Sequence, residues 1–342
     1  MNMYNWIEQV IHERNKRPFP LLSYPAVQEL FITVKELVSD SAWQAMGMRL
    51  IADRYKMTAA TSYMDLSVEA EAFGSRCIYG VDDIPTINGC LIHNMEEAEA
   101  LNVPEVGAGR TGVAVEAIRK ALRLINDRPV FANCIGPYSL AGRLMDVNKV
   151  MIASYEEPEA VHAVLKKATD FIKSYVAAFK RVGANGVILA EPLAGILSPA
   201  LMEEFSTRYV ADIISEFQDK SFVFIYHNCG NSVAQLIPQV LDTGSRIFHF
   251  GNHASIRKML ENMPSDRIIM GNLDPASVFR NATPRKVQLA TQKLLLECMD
   301  FPNFLISSGC DIPPDTDPDN LDAFFQTVEA NYYKRMLYDL IT

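Results

Sequence analysis

Short, almost wholly apolar runs recur along the chain, and stretches with helical spacing separate them. The runs are Phe19–Ser23, Ala59–Asp65, Pro129–Cys134, Gly186–Ala190, Phe222–Tyr226, Arg246–Phe250, Arg267–Gly271 and Phe304–Ser307. Apolar runs of this length without alternation predict parallel strands covered on both faces. The clearest helical stretch is Pro158–Val182, where Val161, Leu165, Ala168, Ile172, Tyr175 and Phe179 keep helical spacing. Pro158 suits its first turn and Gly183 its C-terminal cap. Further helices are predicted from about Pro199 to Glu216 and from Asn320 to about Leu340. Eight strand–helix alternations without a change of composition predict one α/β domain over residues 1–342, a (β/α)8 TIM barrel. A doubly wound open sheet is the alternative. Between Glu69 and Asp127 no strong pair of buried strands stands out, so an elaborated loop region is expected after the second strand.

Composition narrows the function classes. Of the 342 residues, 49% are hydrophobic, enough for a large core. The net charge is −9 and no Lys/Arg run stands out, which argues against a nucleic-acid partner. No stretch approaches the length of an apolar membrane span. The first residues mix Glu8, Glu13, Asn15 and Lys16 with apolar ones and lack a signal peptide's apolar centre, so a cytoplasmic protein is expected. The six cysteines (77, 90, 134, 229, 298 and 310) show no paired framework. Cys77, Cys90, Cys134 and Cys298 are read as small buried hydrophobes.

Three residues carry the chemistry. His227 and Cys229 follow the fifth predicted strand, and Cys310 follows the eighth. In a barrel, residues just past the strand ends face one mouth, so ligands 81 positions apart become neighbours. One imidazole and two thiols make a three-ligand zinc site with the fourth position open, the catalytic rather than the structural pattern. Two thiolates and a neutral imidazole balance Zn²⁺. A thiol entering the fourth position then leaves the site at a net charge of −1, which suits attack on an alkyl group. Zinc-bound water for hydrolysis is the other use.

Other residues are weighed beside these. Glu191 ends the fourth strand, where it suits a fourth ligand, an acceptor of a thiol proton or a loop cap. His249 ends the sixth strand, where it suits a hydrogen bond to substrate, support for a zinc ligand or a place in the core. Asp274 reads as a helix cap, and Asp311 as a group that orients its neighbour Cys310. Asp65, Glu69 and Glu71 suit the mouth or the anchoring of the long loop. Arg110 is expected in a flexible loop, within reach of an anionic substrate. Gly107-Ala-Gly109-Arg-Thr-Gly112 spells a dinucleotide fingerprint but lacks the strand that must precede one.

Several segments together give a more specific reading. They are Asp65-Leu-Ser-Val-Glu-Ala-Glu-Ala-Phe-Gly74, Gly136-Pro-Tyr-Ser-Leu-Ala141, Ala190-Glu191-Pro192, His227-Asn-Cys229-Gly230, Gly271-Asn-Leu-Asp274-Pro275 and Ser308-Gly-Cys310-Asp311-Ile-Pro313. In these the chain resembles the uroporphyrinogen decarboxylase superfamily, and within it the methylcobamide:coenzyme M methyltransferase branch. The resemblance implies a (β/α)8 barrel with zinc on His227, Cys229 and Cys310. It implies methyl transfer from a methylcorrinoid, supplied by a partner corrinoid protein, to a small-molecule thiol such as coenzyme M or a related acceptor. The decarboxylases of the superfamily carry an Arg-rich N-terminal segment, whereas Pro18-Phe-Pro-Leu-Leu-Ser-Tyr-Pro25 has no Arg. A tetrapyrrole decarboxylase, or a non-catalytic protein that binds zinc, thiol or corrinoid, is the alternative.

Overall fold

A computed structural model describes the backbone of residues 1–341 and the side chains of residues 1–333. In chain order the strands are β1 (Ala60–Thr61), β2 (Cys77–Ile78), β3 (Thr86–Ile87), β4 (Val130–Ile135), β5 (Gly186–Ala190), β6 (Val223–Asn228), β7 (Ile247–Phe250), β8 (Ile268–Leu273) and β9 (Phe304–Ser308). Seven of them pair in the order β1-β4-β5-β6-β7-β8-β9, every neighbour parallel. The sheet curls into an α/β, TIM-barrel-like fold.

Both faces of the sheet are buried, which is why the strands read as unbroken apolar runs. Phe131, Ile188, Val223, Ile225, Ile247 and Leu305 share one cluster inside the curl. Their neighbours Leu189, Phe224, Tyr226, Phe248 and Ile306 belong to a second cluster under the helices. The helix Met3–His12 fills the end of the curl where the strands begin. Its Met3, Trp6, Ile7 and Val10 join the inner cluster, and the Trp6 ring lies 5.9 Å from that of Phe131. Asn2 caps this helix, and the Lys16 ammonium accounts for carbonyls at its other end by donating to Val10 (2.7 Å) and Ile11 (3.0 Å). Mixed polar residues hide this helix in the sequence.

The first expected strand departs from prediction. Residues 19–23 lie between β9 and β1, yet form no paired strand. Pro18 and Pro20 have no N–H to give a ladder. What remains is the Phe19 N–H donating to the Ile306 carbonyl, the Thr58 N–H donating to that of Pro18, and the Leu21 N–H donating to Ser308 Oγ, each at 3.0 Å. The expected strand at 59–65 shrinks to two paired residues, beside the segment that the prolines leave unpaired. The helix Pro158–Val182 has the predicted bounds, and Gly183 closes it at φ 102°. The helix expected from about Pro199 is broken by a π turn at Glu203–Thr207 before it resumes at Arg208–Phe217. The long loop region holds the antiparallel β2–β3 hairpin and the helices Met95–Ala100 and Thr111–Leu124. No helix among the described residues is long and apolar enough to cross a membrane.

Candidate metal centre

Strand register sets the geometry of the centre. Ala190, His227 and His249 pair across β5, β6 and β7 at one level near the strand ends. Ile225 and Ile247 face inward, so two residues further on His227 and His249 face inward as well. Cys229 lies just past β6, in a loop that Asn228 folds by accepting the Gly230 N–H on Oδ1 (2.9 Å). Gly251 packs beneath that loop, and a Cβ there would fall 2.5 Å from the Cβ of Cys229. Cys310 follows β9. It is held between the Gly309 N–H, which donates to Leu273 (2.6 Å), and the Ile312 N–H, which donates to Leu21 (3.0 Å).

The ligand atoms of His227, Cys229 and Cys310 all lie within 4.8 Å of one another. His227 Nε2 stands 3.8 Å from Cys310 Sγ. Tetrahedral zinc, with bonds of about 2.3 Å to sulfur and 2.0 Å to nitrogen, needs donors about 3.6–3.8 Å apart. The His227–Cys310 distance and the donor set both fit zinc. A hydrogen bond from Cys310 holds the Cys229 thiol below its ordinary range. The same bond, with burial, pushes Cys310 up to about 12. Ionisation of Cys229 thus opposes that of Cys310, and a dication beside them would favour both thiolates.

His249 fixes which nitrogen of His227 is free. Its Nε2 lies 2.7 Å from the Ser308 carbonyl, an obligate acceptor, so Nε2 carries the proton. Burial holds His249 well below the usual histidine range, which keeps it neutral. Its Nδ1 therefore accepts the Nδ1–H of His227 at 2.7 Å. The lone pair of His227 is left on Nε2, facing Cys310. Ser307 Oγ, 3.0 Å from His249 Nε2, closes the chain. Sequence reading missed Ser307 and Ser308; strand parity opposite His249 was the available signal.

Glu191 points elsewhere. It is fully buried, and its carboxylate accepts the N–H groups of Tyr138 (3.2 Å) and Ser139 (2.6 Å) in the first turn of the helix Pro137–Met145. Burial raises its pKa to about 7, against the pull of the Ser139 hydrogen bonds. The metal-capable group does not include Glu191. Its link to the centre is through the backbone, where its N–H donates to the His227 carbonyl (2.9 Å). A Cβ at Gly136 would strike this carboxylate at 2.4 Å, which accounts for glycine there.

Arg110 is not in an open loop. It is buried, with its guanidinium ion-paired to Asp65 and to Glu71 (2.7 Å) and bonded to Ser67 Oγ (2.8 Å). Asp65, Glu71 and Ser67 hold it in place. Asp274 caps the turn after β8 through the N–H groups of Ala276 (2.8 Å) and Ser277 (2.9 Å). Asp311 turns from Cys310 towards β1, where Oδ2 accepts the Met64 N–H (3.1 Å). All six cysteines are free.

Comparison with known proteins gives the chain a family. The chain is 28% identical over 276 residues to the methylcobamide:CoM methyltransferase MtbA of Methanosarcina acetivorans, covering 79% of this chain and 78% of that one. It is 23% identical over 288 residues to the uroporphyrinogen decarboxylase of Hahella chejuensis, covering 81% and 79%. Its fold matches that of a methyltransferase from Methanosarcina mazei with a TM-score of 0.84, at 20% identity, over 97% of this chain and 99% of the other. The family model for uroporphyrinogen decarboxylase (URO-D) matches residues 21–331, and the chain belongs to that family.

Proposed function

We propose that the protein is a zinc-dependent methyltransferase that moves a methyl group from a methylated corrinoid, carried on a separate protein, to a small thiol. The observation that carries this reading is the His227, Cys229 and Cys310 donor set, gathered within 4.8 Å inside the barrel mouth. The similarity to a methylcobamide:CoM methyltransferase supports it. Zinc held there would lower the proton affinity of an entering thiol and keep the sulfur nucleophilic.

The chain's own residues do the rest. His249 and the Ser308 carbonyl orient His227 so that only Nε2 can serve as a donor. The Asn228 turn and Gly251 fix the loop that presents Cys229. The inward-facing apolar side chains below, Ile225 and Ile247, keep the floor of the centre dry. In this reading Glu191 is a positioning residue: its backbone holds the His227 carbonyl and its carboxylate anchors the neighbouring helix. The protein works in a reducing, cytoplasmic setting, in keeping with six free cysteines.

Metal analysis of protein purified without chelator should give about one zinc per chain. Methylcobalamin should then methylate mercaptoethanesulfonate or homocysteine, with the product thioether measured directly. No zinc even after added metal defeats the reading. Decarboxylation of a porphyrinogen that persists in the metal-free protein would replace it with the decarboxylase alternative.

A further inference from the structure

Cys90 lies outside the barrel mouth, between the β2–β3 hairpin and the helix Met95–Ala100, and three side chains converge on or behind its sulfur. Sγ is 3.3 Å from His93 Nε2 and 3.4 Å from the Lys149 ammonium. His93 Nδ1 is 3.0 Å from Glu97 Oε2, which also accepts the His93 backbone N–H (2.7 Å). A carboxylate only accepts, so Nδ1 carries the proton and Nε2 turns its lone pair to the thiol. The sequence of groups is nucleophile, base, then the acid that orients the base, the general arrangement of an activated thiol.

The arrangement is held from several sides. Leu91 and Ile92 both donate their N–H to the Leu144 carbonyl (2.7 and 3.0 Å), which pins the loop to the end of the helix Pro137–Met145. Asn94 caps the helix that carries Glu97 by accepting the Glu97 N–H (2.9 Å). Lys149 reaches in from the helix Val147–Glu156, 59 positions away. The site is also open. Cys90 is half-buried, the His93 and Glu97 side chains are 52% and 45% exposed, and Lys149 is exposed. Cys134 and Cys298, by contrast, are buried, and burial pushes their thiols up, that of Cys298 to about 12. The expectation that Cys90 packs as a small hydrophobe thus does not hold.

We propose that Cys90 is a nucleophilic thiol that exchanges with small anionic disulfides and carries a reversible mixed disulfide. An acyl electrophile needs an enclosing pocket with oxyanion donors, whereas a disulfide needs only in-line access to sulfur. The Lys149 ammonium beside the thiol favours a disulfide bearing carboxylates. In the step, the Cys90 proton passes to His93 Nε2 and the Cys90 sulfur bonds to one sulfur of the disulfide. The S–S bond of the reagent breaks. Its departing half takes the proton back from His93 and leaves as a free thiol. Cys90 is oxidised to the mixed disulfide and the departing half is reduced.

The test uses the full chain with glutathione disulfide as the anionic probe and hydroxyethyl disulfide as the neutral one, with mixed disulfides mapped by peptide mass spectrometry. Cys77 is the internal control: it is also half-buried and has a cation nearby, with Arg110 Nη2 at 3.6 Å, but no imidazole beside it. At neutral pH Cys90 should react about tenfold or more faster than Cys77 with glutathione disulfide. His93→Gln should erase most of that advantage, and Lys149→Met should erase the preference for the anionic probe. Both side chains are exposed, so the variants should fold, which circular dichroism checks. A Cys90 rate no greater than that of Cys77, or one unchanged by His93→Gln, overturns the proposal.

Discussion

At the ends of β6 and β9 the groups that converge are lone-pair donors: one imidazole nitrogen and two sulfurs within 4.8 Å. Beyond the end of β1, polar groups converge as tightly, but there the chain supplies its own cation. Arg110 sits among Asp65, Glu71 and Ser67, and its guanidinium lies over the Tyr79 ring, 4.9 Å from the centroid. Convergence of polar side chains at a barrel mouth is therefore not enough to mark a ligand site. What separates the two regions is the source of the cation. One cluster contains its own, the Arg110 guanidinium. The other has donors with no internal cation to receive them, which is the condition for taking up an external one.

The largest expected effect tests that contrast directly. Cys310→Ser should take bound zinc from about one per chain to near none and methyl transfer with it, because a serine hydroxyl is a poor zinc ligand. Zinc retained at full stoichiometry would mean that the cluster is not the metal site. Arg110→Met should do the opposite. Zinc should stay bound, but stability should fall by about 3 kcal/mol, since buried Asp65 and half-buried Glu71 lose their counter-charge. Denaturant unfolding checks this. Stability within error of wild type, or lost zinc, would erase the distinction between the two clusters.

How far the sequence revealed each cluster follows from how each is built. His227, Cys229 and Cys310 were legible because parallel strands end at one face, so a count of strands already brings the three together. The β1 cluster was not legible, because Arg110 meets Asp65 and Glu71 only through a long loop region that carries no periodic pattern. The same reason hid Lys149 from Cys90, although the Cys90, His93 and Glu97 spacing was a local signal that could have been read. Strand periodicity gave β4 to β9 to within a few residues. It overestimated residues 19–23 because apolar character survives where Pro18 and Pro20 have removed the hydrogen-bond donors.

A smaller effect concerns the one carboxylate near Arg110 that the guanidinium leaves unpaired. Glu69 is buried, with Oε1 accepting the Ile135 N–H (3.0 Å) and Oε2 without a partner. Burial raises its pKa from 4.5 to about 7. The folded state thus holds this proton more tightly than the unfolded chain does. The stabilisation is full below about pH 4.5 and is lost as pH rises through about 7, a difference on the order of 3 kcal/mol at most. Glu69→Gln should flatten that slope and raise stability relative to wild type at about pH 8. Parallel pH–stability profiles for the two proteins would show that Glu69 is already ionised in the fold.

The smallest effect concerns the far side of the His227, Cys229 and Cys310 cluster. His249 lies outside the His227, Cys229 and Cys310 group, and its role rests on a chain of donors running from His227 Nδ1 through His249 to the Ser308 carbonyl. Glutamine at 249 keeps an N–H for Ser308 but cannot hold the same two-ended geometry with a rigid ring. His227 is then free to turn or to change tautomer, and part of its population no longer offers Nε2. Loss of such an orienting partner weakens zinc affinity by about 10–100-fold, or roughly 1.4–2.7 kcal/mol, while stoichiometry at saturating metal stays near one. Competition against a chelator of known affinity measures this. An unchanged affinity would show that the barrel wall alone orients His227. Loss of stoichiometry as well would mean that His249 is part of the donor set rather than its support.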